Sequence, residues 1–171
     1  MNASASTGVA GGSSTALPST QKTATTDQSD GLTIAKLLAA KKILDDNDVD
    51  PSLKRFIVCG PQQVSDLLGT TQVTSSDFNT VKALAQGDIS SYLGFEFIMS
   101  TRLNKDATHT SDRLVFGYTE DAVKLGIGKD ISAKISERAD KSYSTQVYYC
   151  MSLGAVRMEE KKIVQIPCHE A

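Results

Sequence analysis

Arg55-Phe56-Ile57-Val58-Cys59-Gly60-Pro61-Gln62-Gln63-Val64-Ser65-Asp66-Leu67-Leu68 reads as a strand that turns directly into a helix. After Arg55 come Phe56, Ile57 and Val58, aromatic or β-branched, and then Cys59, the composition of a buried strand. Gly60 and Pro61 break it, and proline suits the first turn of a helix. Val64, Leu67 and Leu68 then fall on one helical face, and Gly69 can cap its end.

Working outward, Leu32, Ala35, Leu38, Ala39 and Ile43 or Leu44 recur near helical spacing, which predicts a helix over residues 32–46. Asp30 is the expected N-cap, and Lys36, Lys41 and Lys42 cover the wet face. The run Asp45-Asp46-Asn47-Asp48 stops it, and Pro51 bars its continuation. A third helix is predicted over residues 76–86, with Phe78, Val81, Leu84 and Ala85 inward. From Tyr92 the period shifts to two. Strands are predicted at residues 95–99, 114–118, 131–136, 144–151, 155–158 and 162–166, with Pro167 ending the last. Residues 101–112 read as a polar loop that holds His109. Thr145, Val147, Tyr149 and Met151 share one face of their strand. One core is expected to join Ile57, Leu67, Phe97, Val115 and Val147. Residues 1–30 are rich in Ser, Thr, Gly and Ala and read as a flexible arm or loop, leaving residues 31–171 as one α+β domain.

Composition removes several function classes. The chain has 171 residues and a formal net charge of −2, so no overall basic field exists to hold nucleic acid through phosphates. No apolar run approaches the length of a membrane-spanning helix, and the N-terminus lacks the apolar stretch of a secretory signal. Cys59, Cys150 and Cys168 show no C-x-x-C spacing and read as reduced thiols, with Cys59 and Cys150 inside core strands.

The tempting motifs fail on their own chemistry. Asp46-Asn47-Asp48-Val49-Asp50 resembles the start of a calcium loop, but Pro51 stands where the turn needs Gly and Ile57 where it needs a bidentate Glu. Gly126-Ile127-Gly128-Lys129 lacks the earlier Gly of a phosphate loop and is followed by Asp130, a carboxylate that repels phosphate. It reads as a glycine turn between strands. Cys168-His169-Glu170 are adjacent residues near the end of the sequence, which do not make a metal centre. No G-x-S-x-G elbow exists, and His109 and His169 are the two histidines available as bases. Glu159-Glu160 beside Lys161-Lys162 reads as a charged turn. No catalytic residue, cofactor or metal is expected.

Taken in order, these pieces resemble the C-terminal portion of a tailed-bacteriophage major capsid protein. Residues 32–51 resemble the helix before a core strand in that family. Residues 55–68 resemble its strand, turn and helix. Residues 91–101 resemble its return strand, entered through Leu93-Gly94, and residues 138–143 with 154–164 resemble the closing segment. The resemblance covers about residues 31–168. It implies part of a Hong Kong 97-type fold, comprising the axial domain and part of the peripheral domain. That fold also has an N-terminal arm, an extended loop and a long spine helix, none of which has a counterpart here. The resemblance therefore implies either a fragment or a missing part supplied by another polypeptide, and no cross-link residue can be carried over. It further implies a virion subunit, assembled in the host cytoplasm, that joins copies of itself in pentamers and hexamers. Portal, scaffold or decoration proteins are its other implied partners, around DNA bound without sequence preference and with no membrane. The contact residues expected are Arg138, Asp140 and Lys141, in a charged connection between two strands. The competing reading is a small cytoplasmic ligand-binding domain or enzyme of α+β class.

Overall fold

The computed structural model describes residues 5–7, 13–23, 30–69, 91–107 and 109–170. The helix expected over residues 76–86 lies outside the described residues.

The centre is a mixed five-stranded sheet built from β3 (Arg55–Cys59), β4 (Ser91–Tyr92), β5 (Phe95–Met99), β6 (Asp112–Thr119) and β9 (Ile163–His169), in the order β4-β5-β3-β6-β9. β3 runs parallel to β5 and antiparallel to β6. Parallel neighbours need a crossover, and α2 (Pro61–Gly69) lies in that connection. Ile57, Cys59, Leu67, Phe95, Val115, Val164 and Ile166 are fully enclosed. β4 and β5 are joined by a two-residue turn with Leu93 at φ 53° and Gly94 at φ 83°. Left-handed backbone at both central positions matches the twist of a hairpin, and glycine takes it without strain.

Helix α1 (Ile34–Asp46) is capped by Thr33, whose Oγ1 accepts from Lys36 N at 3.4 Å. Asp30 is not the cap. Its carbonyl instead accepts from Lys36 Nζ at 2.6 Å and from His169 N at 3.2 Å. The buried face also differs from the expected one. Ile34, Leu37, Ala40 and Leu44 point inward, and Leu38 is 49% exposed. Two stripes at helical spacing compete in this sequence, and packing chooses the one that starts at Ile34. Lys36 is not simply solvated: its ammonium also reaches Pro167 O at 3.2 Å and ties α1 to β9.

Pro167 does not end β9. It pairs with Leu114 inside the strand, which continues to His169. β9 is an edge strand of this sheet, where a missing N–H is tolerated. In the N-terminal region expected to be a flexible arm, β1 (Ala5–Thr7) pairs with β2 (Ser13–Thr15). Leu17, Gln21 and Thr23 are buried, and Thr23 N donates to Gln165 O at 3.0 Å along the outer edge of β9. Leu17 supplies the apolar area that composition alone does not weigh.

The largest departure is the segment between β6 and β9. β7 (Val123–Arg138) and β8 (Ser144–Arg157) pair only with each other, as a long two-stranded ribbon outside the main sheet. Residues 155–157, expected to help close the sheet, belong to this ribbon. Residues 126–129 are not a turn but lie within β7. Val147 is 69% exposed and takes no part in the core, while Phe97 is half-buried against it. Cys150 is half-buried on the ribbon rather than a core thiol.

Candidate interaction surface

The ribbon is where sequence and environment disagree. β8 is regular over 14 residues, about 45 Å at the usual rise of a strand. In an antiparallel pair, directly opposed residues point to the same face, so the register sorts the side chains. One face carries Leu125 opposite Ala155, Ile127 opposite Leu153, Ala133 opposite Tyr149 and Ile135 opposite Val147. The register shifts by one residue between Ile127 and Lys129 and again between Lys129 and Ser132. One such bulge would turn every later side chain to the other face. Two of them restore the parity, so a single apolar face runs from Leu125 to Ile135, with Arg157 and Glu137 on the same side at its two ends. Tyr149 Oη lies 3.9 Å from Met151 Sδ along it.

The opposite face is polar. It carries Lys124, Lys129, Lys134 and Arg138, opposite Val156, Ser152, Tyr148 and Ser144. The alternation has the pattern of a strand with one buried face, yet among the described residues most of that face is open. Ile135 is 74% exposed, and Leu125, Ile127, Ile131, Tyr149 and Leu153 are also open. A contiguous bare apolar face on this scale marks an interaction surface.

The expected contact residues lie at the tip. Ala139–Lys141 forms a short 3-10 turn between β7 and β8. Arg138 donates to Asp140 through Nε at 2.9 Å and Nη2 at 2.5 Å. This ion pair raises the Arg138 pKa and lowers that of Asp140. Both groups are exposed, so the pair fixes the shape of the tip more than its stability. Lys141 is exposed beside them. Ser142 and Tyr143 follow at φ 51° and 57°, left-handed for two non-glycine residues, and Tyr143 is outward. The structure thus brings the three charged residues together at one exposed turn. The sequence reading missed Tyr143 and the apolar face behind it. The alternation was visible, but periodicity does not reveal whether the inward face has anything to face.

Two other places could hold chemistry. An open cleft of about 540 Å³ lies between the end of α1 and the β4–β5 turn, lined in part by Lys41, Val49, Leu53 and Leu93. Its buried guanidinium, Arg55, is already paired to Asp45 Oδ1 at 2.7 Å. At the end of β9, the Glu170 carboxylate takes Arg113 Nε at 2.5 Å, Arg113 Nη2 at 2.9 Å and Gln63 Nε2 at 3.1 Å. The Arg113 guanidinium holds the Glu170 carboxyl below its usual range. His169 Nδ1 lies 3.2 Å from Asp112 Oδ1, and the Cys168 thiol is enclosed. Cys168, His169 and Glu170 thus go to three separate environments and do not converge on a ligand.

Comparisons with known proteins bear on the family and the fold. The family model described as phage capsid protein matches residues 1–170. No curated protein sequence matches the chain. The fold is similar to the capsid of the cyanophage P-SCSP1u, at TM-score 0.65 and 18% identity, over 80% of this chain and 46% of that one. It is similar to the capsid of Ralstonia phage GP4, at TM-score 0.65 and 10% identity, over 87% of this chain and 50% of that one. A structure from Mycobacterium phage Che8 matches at TM-score 0.61 and 18% identity, over 76% of this chain and 46% of that one. The chain therefore spans about half the length of the solved structures it matches. By the family model over nearly its whole length, and by a fold shared with capsid structures, the chain belongs to the phage capsid protein family.

Proposed function

We propose that the protein is a structural subunit of a phage capsid shell and works by assembly, with no catalytic step. The observation that carries this is the ribbon: an amphipathic pair of strands with its apolar face bare. Two strands side by side are about 10 Å wide, the width of one α-helix. The apolar face therefore suits an amphipathic helix laid along it, contributed by the part of the capsid fold this chain does not span. Self-assembly into pentamers and hexamers follows from heterologous contacts that close into rings. DNA would be enclosed without sequence-specific contacts. Portal, scaffold or decoration proteins would meet the finished shell, and assembly would take place in the host cytoplasm. The direct test is mass spectrometry of purified particles. Peptides from residues 31–170 at the abundance of the main shell component support the reading, and their absence from intact particles overturns it.

The tip formed by Arg138, Asp140 and Lys141 is proposed as a subunit contact within that shell. Tyr143 supports it, because a large ring is kept outward on left-handed backbone where glycine would avoid a strain of about 1 kcal/mol. Asp140→Lys should leave the melting of the isolated chain nearly unchanged and lower the yield of closed particles. Tyr143→Gly should hold or raise the melting temperature and lower that same yield. Normal particle yield for both variants, across a range of salt, rules the contact out.

A further inference from the structure

Charge is segregated in this molecule. Six Lys or Arg and three Asp or Glu lie within residues 123–157, although the whole chain carries 18 against 20. The ribbon is therefore basic and the rest of the chain acidic. On the ribbon the segregation is sharper. Lys124, Lys129, Lys134 and Arg138 share the polar face, and no carboxylate is paired into that face. The three lysines make no ion pair among the described residues. At the other end of the charge scale, Asp45, Asp46, Asp48 and Asp50 lie within six residues where α1 ends. All four are exposed, and Asp46 and Asp48 make no ion pair among the described residues. Asp50 is fixed by accepting from Ser52 N at 2.8 Å.

We propose that the basic face of the ribbon docks on the acidic turn at residues 45–50 of a second copy of this chain. The contact is heterologous, ribbon to turn, and so leaves the turn of one copy and the ribbon of the other free to bind the next. Rows of like charge on each surface also disfavour ribbon-to-ribbon and turn-to-turn pairing, which sets the direction of the chain of contacts. The apolar face remains available to a different element, because it points the opposite way. This contact rests on the shell reading above and supplies one of its subunit interfaces. A polyanion such as DNA is the other occupant that a basic face can take. The chain offers its own carboxylates in a compact exposed turn, and its lysines are spaced along a ribbon rather than gathered in a groove.

The test uses the full chain, mixed from isotopically light and heavy preparations. A carbodiimide joins lysine amines directly to carboxylates in contact. Cross-links between Lys129 or Lys134 of one copy and Asp46 or Asp48 of the other are expected, and they should fade as ionic strength rises. Lys129→Glu with Lys134→Glu should abolish the salt-sensitive association, as should Asp46→Lys with Asp48→Lys. Mixing these two variants should restore it, because each then offers the other a matched surface. All four positions are exposed, so melting curves confirm that the variants are folded. Ribbon lysines that join no carboxylate of residues 45–50, or a mixture that fails to associate, overturn the contact. So does binding of a duplex DNA that is lost with the lysine changes while the cross-links are absent. If the chain is abundant in particles and these results are negative, the contact alone fails. If the chain is absent from particles, the shell reading fails first.

Discussion

Single residues carry two kinds of information here, enclosure and pairing. Cys59 and Cys168 are enclosed, and burial pushes their thiols up to about 11 and about 12. Cys150 is half-buried on the ribbon. A thiolate is the reacting form, so alkylation of the native chain near neutral pH should modify Cys150 first and leave the other two until the protein unfolds. Mass spectrometry of the labelled peptides reads this, and Cys59 reacting as fast as Cys150 would contradict the enclosure. Glu170 is the counterpart in pairing. Its carboxylate ties Arg113 on β6 to Gln63 on α2, with Lys105 Nζ 3.9 Å away. Glu170→Gln should cost about 1–3 kcal/mol, the usual worth of hydrogen bonds to a charged group. The pH dependence has a definite sign. Arg113 holds the Glu170 pKa below its ordinary 4.5, so this stabilisation is in force above 4.5 and is lost as pH falls through the lower folded-state value. Acid melting curves of the wild type and Glu170→Gln should therefore converge at low pH. A constant gap between them would mean that the glutamate acts through packing instead.

At the scale of elements, core and ribbon should respond to truncation in opposite ways. Leu67→Ala or Ile57→Ala should cost about 2–5 kcal/mol, because both side chains are fully enclosed. Val147→Ala in the isolated chain should stay within about 0.5 kcal/mol, the range of surface changes. Denaturant titration separates the two, and a large loss at Val147 would place it against a core that the structure does not show. These contrasts mark how far sequence reasoning reaches. Arg55–Cys59 and Pro61–Gly69 are legible because composition, a breaker and helical spacing all agree locally. The inward face of α1 is not, because one plausible stripe runs through Leu38 and another through Leu37, and only packing against the rest of the fold decides between them. The strands of the ribbon are legible from Ile131, Ala133 and Ile135 and from Val147, Tyr149 and Met151. Their exile from the sheet is not, because alternation reports that a face is apolar and says nothing about what lies against it. The two register shifts near Lys129 were also invisible. They depend on which residue opposes which, a long-range property that Gly126 and Gly128 only hint at. Arg138, Asp140 and Lys141 could be found as a charged connection, whereas the left-handed backbone of Tyr143 could not.

At the scale of the whole molecule, the chain is a folded body with an amphipathic ribbon whose apolar face is largely open among the described residues. Among the described residues both faces of β7 and β8 are largely open, an arrangement that leaves a large apolar surface in water for no gain in stability. A family of shell-forming proteins resolves this, since neighbouring elements in a shell can cover what one chain leaves open. The most direct measurement replaces Ile135 and Val147, which face each other across the ribbon, by Asp. In the isolated chain both positions are exposed, so the main body should stay folded, with the melting temperature lowered only slightly by the two opposed carboxylates. In cells that produce phage particles, the same double variant should be excluded from purified particles while the wild-type chain is incorporated. Incorporation of the Ile135→Asp, Val147→Asp chain at the wild-type level would show that the apolar face stays wet in the shell, and would contradict the account.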